Sequence, residues 1–229
     1  MRKLCCAAAV LTVLWSAPHP AAQSAGLTMQ QVDAWMTQLS NWGRWGKDDQ
    51  RGTLNLITPD VRREALKLAR EGVPVSLAHT IEKEQAADNP RPLGQEMTLD
   101  AAGHAMDLYT IWYHGSVITH IDSLCHYSFQ GRIYNGFERS RIAQGPGCVQ
   151  NGIENQKNGI MTRGILVDIP RMRNVPYLEP GTGITPADLE AWEKFAGLTI
   201  RSGDAVFLRT GRWAQRAQKG AWNVAANAA

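Results

Sequence analysis

The stretch "HGSVITHIDSLCHYSFQGRIYNG", residues 114–136, decides how the rest of the chain is read. It holds three of the chain's six histidines, His114, His120 and His126, and no histidine follows it. Side chains alternate along a strand, so His120 and Asp122 are expected to project to one side with Ile121 buried behind them. A turn through Ser123, Leu124 and Cys125 then lets His126 swing back to the same point. An imidazole, a carboxylate and a second imidazole within seven residues suit a borderline divalent ion such as Zn²⁺ or Mn²⁺. Three protein ligands with one open position is also the layout of an ion that activates water. Thr119 and Ser123 are placed to steady the imidazoles from behind. Such spacing also arises by chance, and it does not establish a site by itself. Serine chemistry is the weaker alternative: Ser116 and Ser123 lie near histidines, but no G-x-S-x-G turn is present.

Upstream, Thr28 caps a helix over residues 28–41 whose stripe is Met29, Val32, Trp35, Met36 and Leu39. A glycine- and tryptophan-rich loop leads to a second helix over 58–72. Thr58 caps it, Pro59 opens it, Val61, Ala65 and Leu68 form its inner face, and Gly72 ends it. "VPVSLAHTI" (73–81) reads as a strand, 88–103 as a loop, and 104–122 as one or two strands rich in β-branched and aromatic residues. "GILVDI" (164–169) and "DAVFLRT" (204–210) have the pattern of buried strands. Between them "TPADLEAWEKFAG" forms a helix with Thr185 and Asp188 in capping-box positions and Leu189, Trp192 and Phe195 facing inward. The fold class is therefore α/β, a mixed sheet with flanking helices, in one domain.

Composition narrows the function. The 229 residues include 20% charged and 44% hydrophobic residues, which suits a packed domain and excludes a disordered or fibrous chain. A net charge of +3, without a basic stripe interleaved with aromatics, excludes a nucleic-acid partner. Residues 1–24 read as a signal peptide: Arg2 and Lys3, an apolar run from Leu4 to Ala17, and a small-residue cleavage site around Ala22 and Ser24. The apolar run is shorter than the roughly 20 residues of a membrane span. An exported protein in the periplasm or medium is expected, with no membrane attachment after processing and residues 25–229 as its domain. Export permits a bridge between Cys125 and Cys148, although sequence leaves their pairing open. No dedicated base marks Cys125 as a nucleophile.

"THIDSLCH" followed by "GRIYNG" resembles the metal-binding segment of the cyclase family, which includes bacterial kynurenine formamidases and isatin hydrolases. That family's pattern is H-x-G-T-H-x-D-x-P-x-H. "RGTLNLITPDVRREALKLAREGVPVSLAHTI" and "RSGDAVFLRTGR" are similar to its longer branch, so the resemblance runs from about Trp42 onward. It implies a swivelling β/β/α-type fold and metal-dependent hydrolysis of an amide or lactam C–N bond. It also implies His120 and Asp122 as ligands of Zn or Mn, and His126 as either a ligand or the catalytic group that shuttles protons.

Two departures from the pattern matter. Ser116 stands where the family's first histidine is expected and Ile118 where its glycine is; His114, two residues before Ser116, is the candidate substitute. Leu124 replaces the usual proline. Family members also continue past a region like "GAWNVAANAA" (220–229) into a segment that adds a histidine and acidic residues. A C-terminally shortened form is therefore expected, with an apolar face left exposed and with a homo-oligomer or partner fragment to cover it. A catalytically silent binding protein on the same fold is the competing reading. The substrate expected from the resemblance is a small aryl amide or lactam. Trp42, Trp45, Trp112 and Tyr134 are candidates to line an aryl pocket, against the plainer alternative of ordinary packing.

Overall fold

The computed structural model describes residues 28–143 and 147–222; the leader expected over 1–24 lies outside them. The order of elements is α1 (Met29–Gln38), α2 (Pro59–Leu66), β1 (Gly94–Leu99), β2 (Ala105–Thr110), β3 (Ile142–Ala143), β4 (Gly147–Cys148), β5 (Gly164–Asp168), α3 (Ile169–Met172), α4 (Pro186–Ala196), β6 (Ala205–Arg209) and α5 (Arg212–Lys219), with short 3-10 turns between. The class is α/β, as expected. Among the described residues the strands form three separate two-stranded sheets, β1–β2, β3–β4 and β5–β6.

The packed centre is the β5–α3–α4–β6 unit. β5 and β6 pair in parallel from Gly164↔Ala205 to Asp168↔Arg209. Alternation along β5 turns Ile165 and Val167 inward, where they meet Ile169 and Trp192. Burying each of these side chains contributes roughly 1.5–3 kcal/mol. α4 starts at a complete capping box between Thr185 and Asp188 and stops at Gly197, whose φ of 63° suits glycine. Phe195 was expected to face inward but is exposed, because the core ends at Trp192 and Ala196. The burial expected of 204–210 is not found: along β6 Val206, Phe207 and Leu208 are all exposed, as is Leu166 of β5, because the core packs on Ile165 and Val167 alone.

Several local expectations fail for identifiable reasons. α1 has its Thr28–Gln31 capping box, yet Met29, Trp35 and Leu39 are exposed, since no core element among the described residues covers them. α2 keeps the Thr58 cap but ends at Leu66, well before Gly72. Residues 73–81 form no strand: among the described residues none pairs with them. The chain after them is pinned by side chains instead: Asn89 Nδ2 donates to the carbonyls of Glu82 and Glu84 at 2.8 and 2.9 Å. Part of the expected loop over 88–103 is β1, which pairs antiparallel with β2 over six residues. Both strands of this hairpin are exposed throughout, so backbone pairing and not burial holds it. Strand structure stops at Thr110, short of the histidine motif.

α5 was not foreseen at all. It is held by charge: Asp88, whose side chain is fully buried, accepts hydrogen bonds from Arg212 Nη2 and Arg216 Nε, both at 2.9 Å. Lys219 pairs with Glu179 at 2.9 Å, and His79 stacks on Trp213 with ring centroids 3.7 Å apart. These contacts tie the 79–91 loop, and the histidine segment behind it, to the end of the βαβ unit.

Candidate metal centre

Residues 111–123 are an extended loop, not a strand. Val117 and Ile118 anchor it in the interior, as do Ser123 and Cys125 further on. Gly115, at a φ of 153° that favours glycine, breaks the alternation between His114 and Ser116. The loop then places His114, His120, Asp122 and His126 on one wall of an open cleft of about 810 Å³. The expected convergence of His120 and Asp122 is present, but its cause is different. Ile121 is exposed and lines the cleft beside them; it is not buried behind.

Asp122 is the hub. Its Oδ1 lies 2.9 Å from His126 Nδ1 and 3.2 Å from His114 Nδ1, and its Oδ2 lies 3.6 Å from His120 Nε2. The 3-10 turn Leu124–His126 swings His126 back, with its backbone N–H on the Ser123 carbonyl. The hydrogen bond from His126 holds the Asp122 carboxyl below the usual carboxylate range; partial burial opposes this, and the charges of the three imidazoles reinforce it. His120 Nδ1 donates to the Ile118 carbonyl at 2.8 Å, which fixes the ring and turns Nε2 toward Asp122. That carbonyl does the steadying expected of Thr119 and Ser123; the Ser123 hydroxyl lies 2.8 Å from Cys125 Sγ instead.

Four ligand-type groups therefore meet, and they include His114. Donor atoms of His114, Asp122 and His126 lie within 4.8 Å of one another. Around a tetrahedral zinc with bonds of about 2.0–2.1 Å, donors stand about 3.3 Å apart. The carboxylate and imidazoles present fit a borderline divalent ion after side-chain shifts of about 1 Å. Ser116 does not line the cleft.

The second wall is tethered to the first. Cys125 and Cys148 form a disulfide, with Cα atoms 6.4 Å apart, joining the His126 turn to β4. The Cys125 N–H donates to the Asn151 carbonyl at 3.2 Å, and Asn151 Nδ2 donates to the Tyr134 carbonyl at 2.8 Å. The "YNG" motif is a clasp. Asn135 Nδ2 donates to the carbonyls of Gly46, Lys47 and Asp49, and Asn135 Oδ1 accepts from the Gly43 N–H at 2.7 Å. The Tyr134 hydroxyl donates to Asp49 at 2.8 Å; burial and this carboxylate push the phenol far above its ordinary range. Tyr134 thus packs structurally. Trp112 lies under Arg91 and Trp45 under Arg44, while Trp42 lines a separate groove beside α1. The cleft takes its apolar lining from Tyr113, Ile121 and Ile153, and Glu154 lines it too. Neither Glu154 nor Tyr113 was singled out in the sequence, where no local pattern marks them.

A family model described as "Putative cyclase" matches residues 75–228, which include all four groups of the cluster. A crystal structure described as that of a novel cyclase is 32% identical, with a TM-score of 0.69, over 76% of this chain and 62% of that one. This chain thus spans less than two thirds of that protein's length. No curated protein matches the sequence. With the family model extending over well more than half of the chain, and a solved cyclase sharing its fold, this protein belongs to the cyclase family.

Proposed function

We propose that this protein is an exported, metal-dependent hydrolase that opens an amide or lactam C–N bond in a small aryl substrate. The observation that carries the reading is the meeting of three imidazoles at one carboxylate in an open cleft. His120 through Nε2, Asp122, and His114 in place of the family's first histidine would hold a Zn²⁺ or Mn²⁺ ion. Such an ion, when bound, polarises a carbonyl and lowers the pKa of water. His126 has its Nδ1 bonded to Asp122, which orients the ring and leaves Nε2 to take a proton and return it to the leaving nitrogen. Tyr113, Ile121 and Ile153 offer an aryl group a partly apolar wall.

Export is proposed from the leader-like residues 1–24, and among the described residues no helix is long and apolar enough to cross a membrane. Metal analysis of the purified protein and of His120→Ala and Asp122→Ala tests the centre; equal metal in all three sinks the assignment. Turnover of an N-formyl aryl amide or a lactam separates catalysis from binding alone.

A further inference from the structure

We propose that reduction of the Cys125–Cys148 bridge creates a second metal site, built from the two thiolates and His126, that takes a soft divalent ion such as Zn²⁺. The site stands on its own geometry and does not depend on the hydrolase reading.

Both sulfurs and a ring nitrogen of His126 already lie within 4.8 Å of one another. In a disulfide the sulfurs are about 2 Å apart. Two Zn–S bonds of about 2.3 Å at the tetrahedral angle set them about 3.8 Å apart. The sulfurs must therefore separate by roughly 1.8 Å, while the imidazole moves about 1 Å. Cys125 cannot supply much of that motion: it is fully buried and its N–H is held by the Asn151 carbonyl. Cys148 can. It is half-buried, sits on a two-residue strand and lines the cleft together with His126. The fourth coordination position then faces the cleft and its water.

The chemistry balances without a hidden partner. A dithiol reductant delivers two electrons and two protons to the S–S bond and leaves as its own cyclic disulfide. The ion then displaces the two thiol protons, and neutral His126 contributes a lone pair. Two thiolates and an imidazole select zinc or cobalt over magnesium, calcium or manganese, whereas the carboxylate at Asp122 makes its cluster the harder site. His126 belongs to both groups. A ring nitrogen bound to an ion cannot also carry a proton, so filling the sulfur site silences His126 as a proton carrier. That last consequence, unlike the site itself, rests on the proposed hydrolase function.

The test is a Co²⁺ titration of the full chain before and after reduction with dithiothreitol, the reductant being removed under anaerobic conditions first, read by near-ultraviolet sulfur-to-cobalt charge-transfer absorption. The expected result is a thiolate band, with one further Co²⁺ bound, in the reduced chain only. Cys148→Ser should abolish the band. His126→Ala should keep it but weaken cobalt binding by at least the roughly tenfold that loss of an outer-shell partner already costs. Absence of the band in a reduced chain that keeps its circular dichroism overturns the proposal, and so does unchanged affinity in His126→Ala. A reduced chain that unfolds and is not restored by Co²⁺ overturns it too, because then the bridge alone holds the donors together.

Discussion

His126 Nδ1 stands 2.9 Å from Asp122 Oδ1, and His114 approaches the same oxygen at 3.2 Å. One carboxylate oxygen therefore organises two rings that lie 12 positions apart in the chain. Replacing it by an amide removes the charge and keeps the shape. Asp122→Asn is expected to weaken metal binding by more than the roughly 10–100-fold of an outer-shell change. Equilibrium dialysis against Zn²⁺ measures it. The melting temperature should move little, since the residue is half exposed.

His114, not Ser116, occupies the cleft. His114→Ala should reduce metal affinity by about tenfold or more, while Ser116→Ala leaves it unchanged. The same dialysis assay decides, and the opposite ranking would restore Ser116 as the ligand.

Asp88 supplies a pH dependence far from the cleft. Burial pushes its carboxyl up, but hydrogen bonds and charge from Arg216 and Arg212 outweigh burial and hold it below its ordinary value. A depressed carboxylate contributes its full stabilisation above the unfolded value of about 3.9, and loses it as the pH falls through the lower folded value. Asp88→Asn should cost about 3 kcal/mol at pH 7, the low end for breaking a buried pair, because the guanidinium partners are about a fifth exposed. Denaturant titrations at pH 7 and pH 3 should show the gap between the proteins shrinking in acid.

Gly211 precedes α5 with a φ of 81°, and a Cβ there would sit 2.7 Å from the Pro176 carbonyl and from the Tyr177 backbone. Gly72 has a φ of 65° and nothing within 4 Å. Gly72→Ala should cost about 1 kcal/mol, the left-handed penalty alone. Gly211→Ala adds backbone displacement and should cost about 3 kcal/mol. Urea unfolding of the two variants side by side is the measurement.

The parts of this protein legible in its sequence are those where a local rule and burial agree. The Thr185–Asp188 box, the Thr58 cap and the apolar run of β5 all carry their own signal, although the run did not tell which of its residues face inward. α5 was illegible because its stability comes from Asp88, more than a hundred residues away, and not from an apolar stripe. In the candidate site, the spacing of His120, Asp122 and His126 announced their meeting. His114 joins them because of a turn at Gly115 that no periodicity encodes. Tyr113 and Glu154 are visible only once the walls of the cleft are assembled.

The contact between Asp88 and Arg212 spans 124 positions, and both walls of the cleft lie inside that span. Closing such a loop costs about 4 kcal/mol of chain entropy before any reward is returned. Folding of the nascent chain must therefore wait for α5 to emerge, and the histidine cluster gains its final support late. A cell making this protein exposes the cleft segments for that interval, a kinetic vulnerability that the folded structure no longer displays.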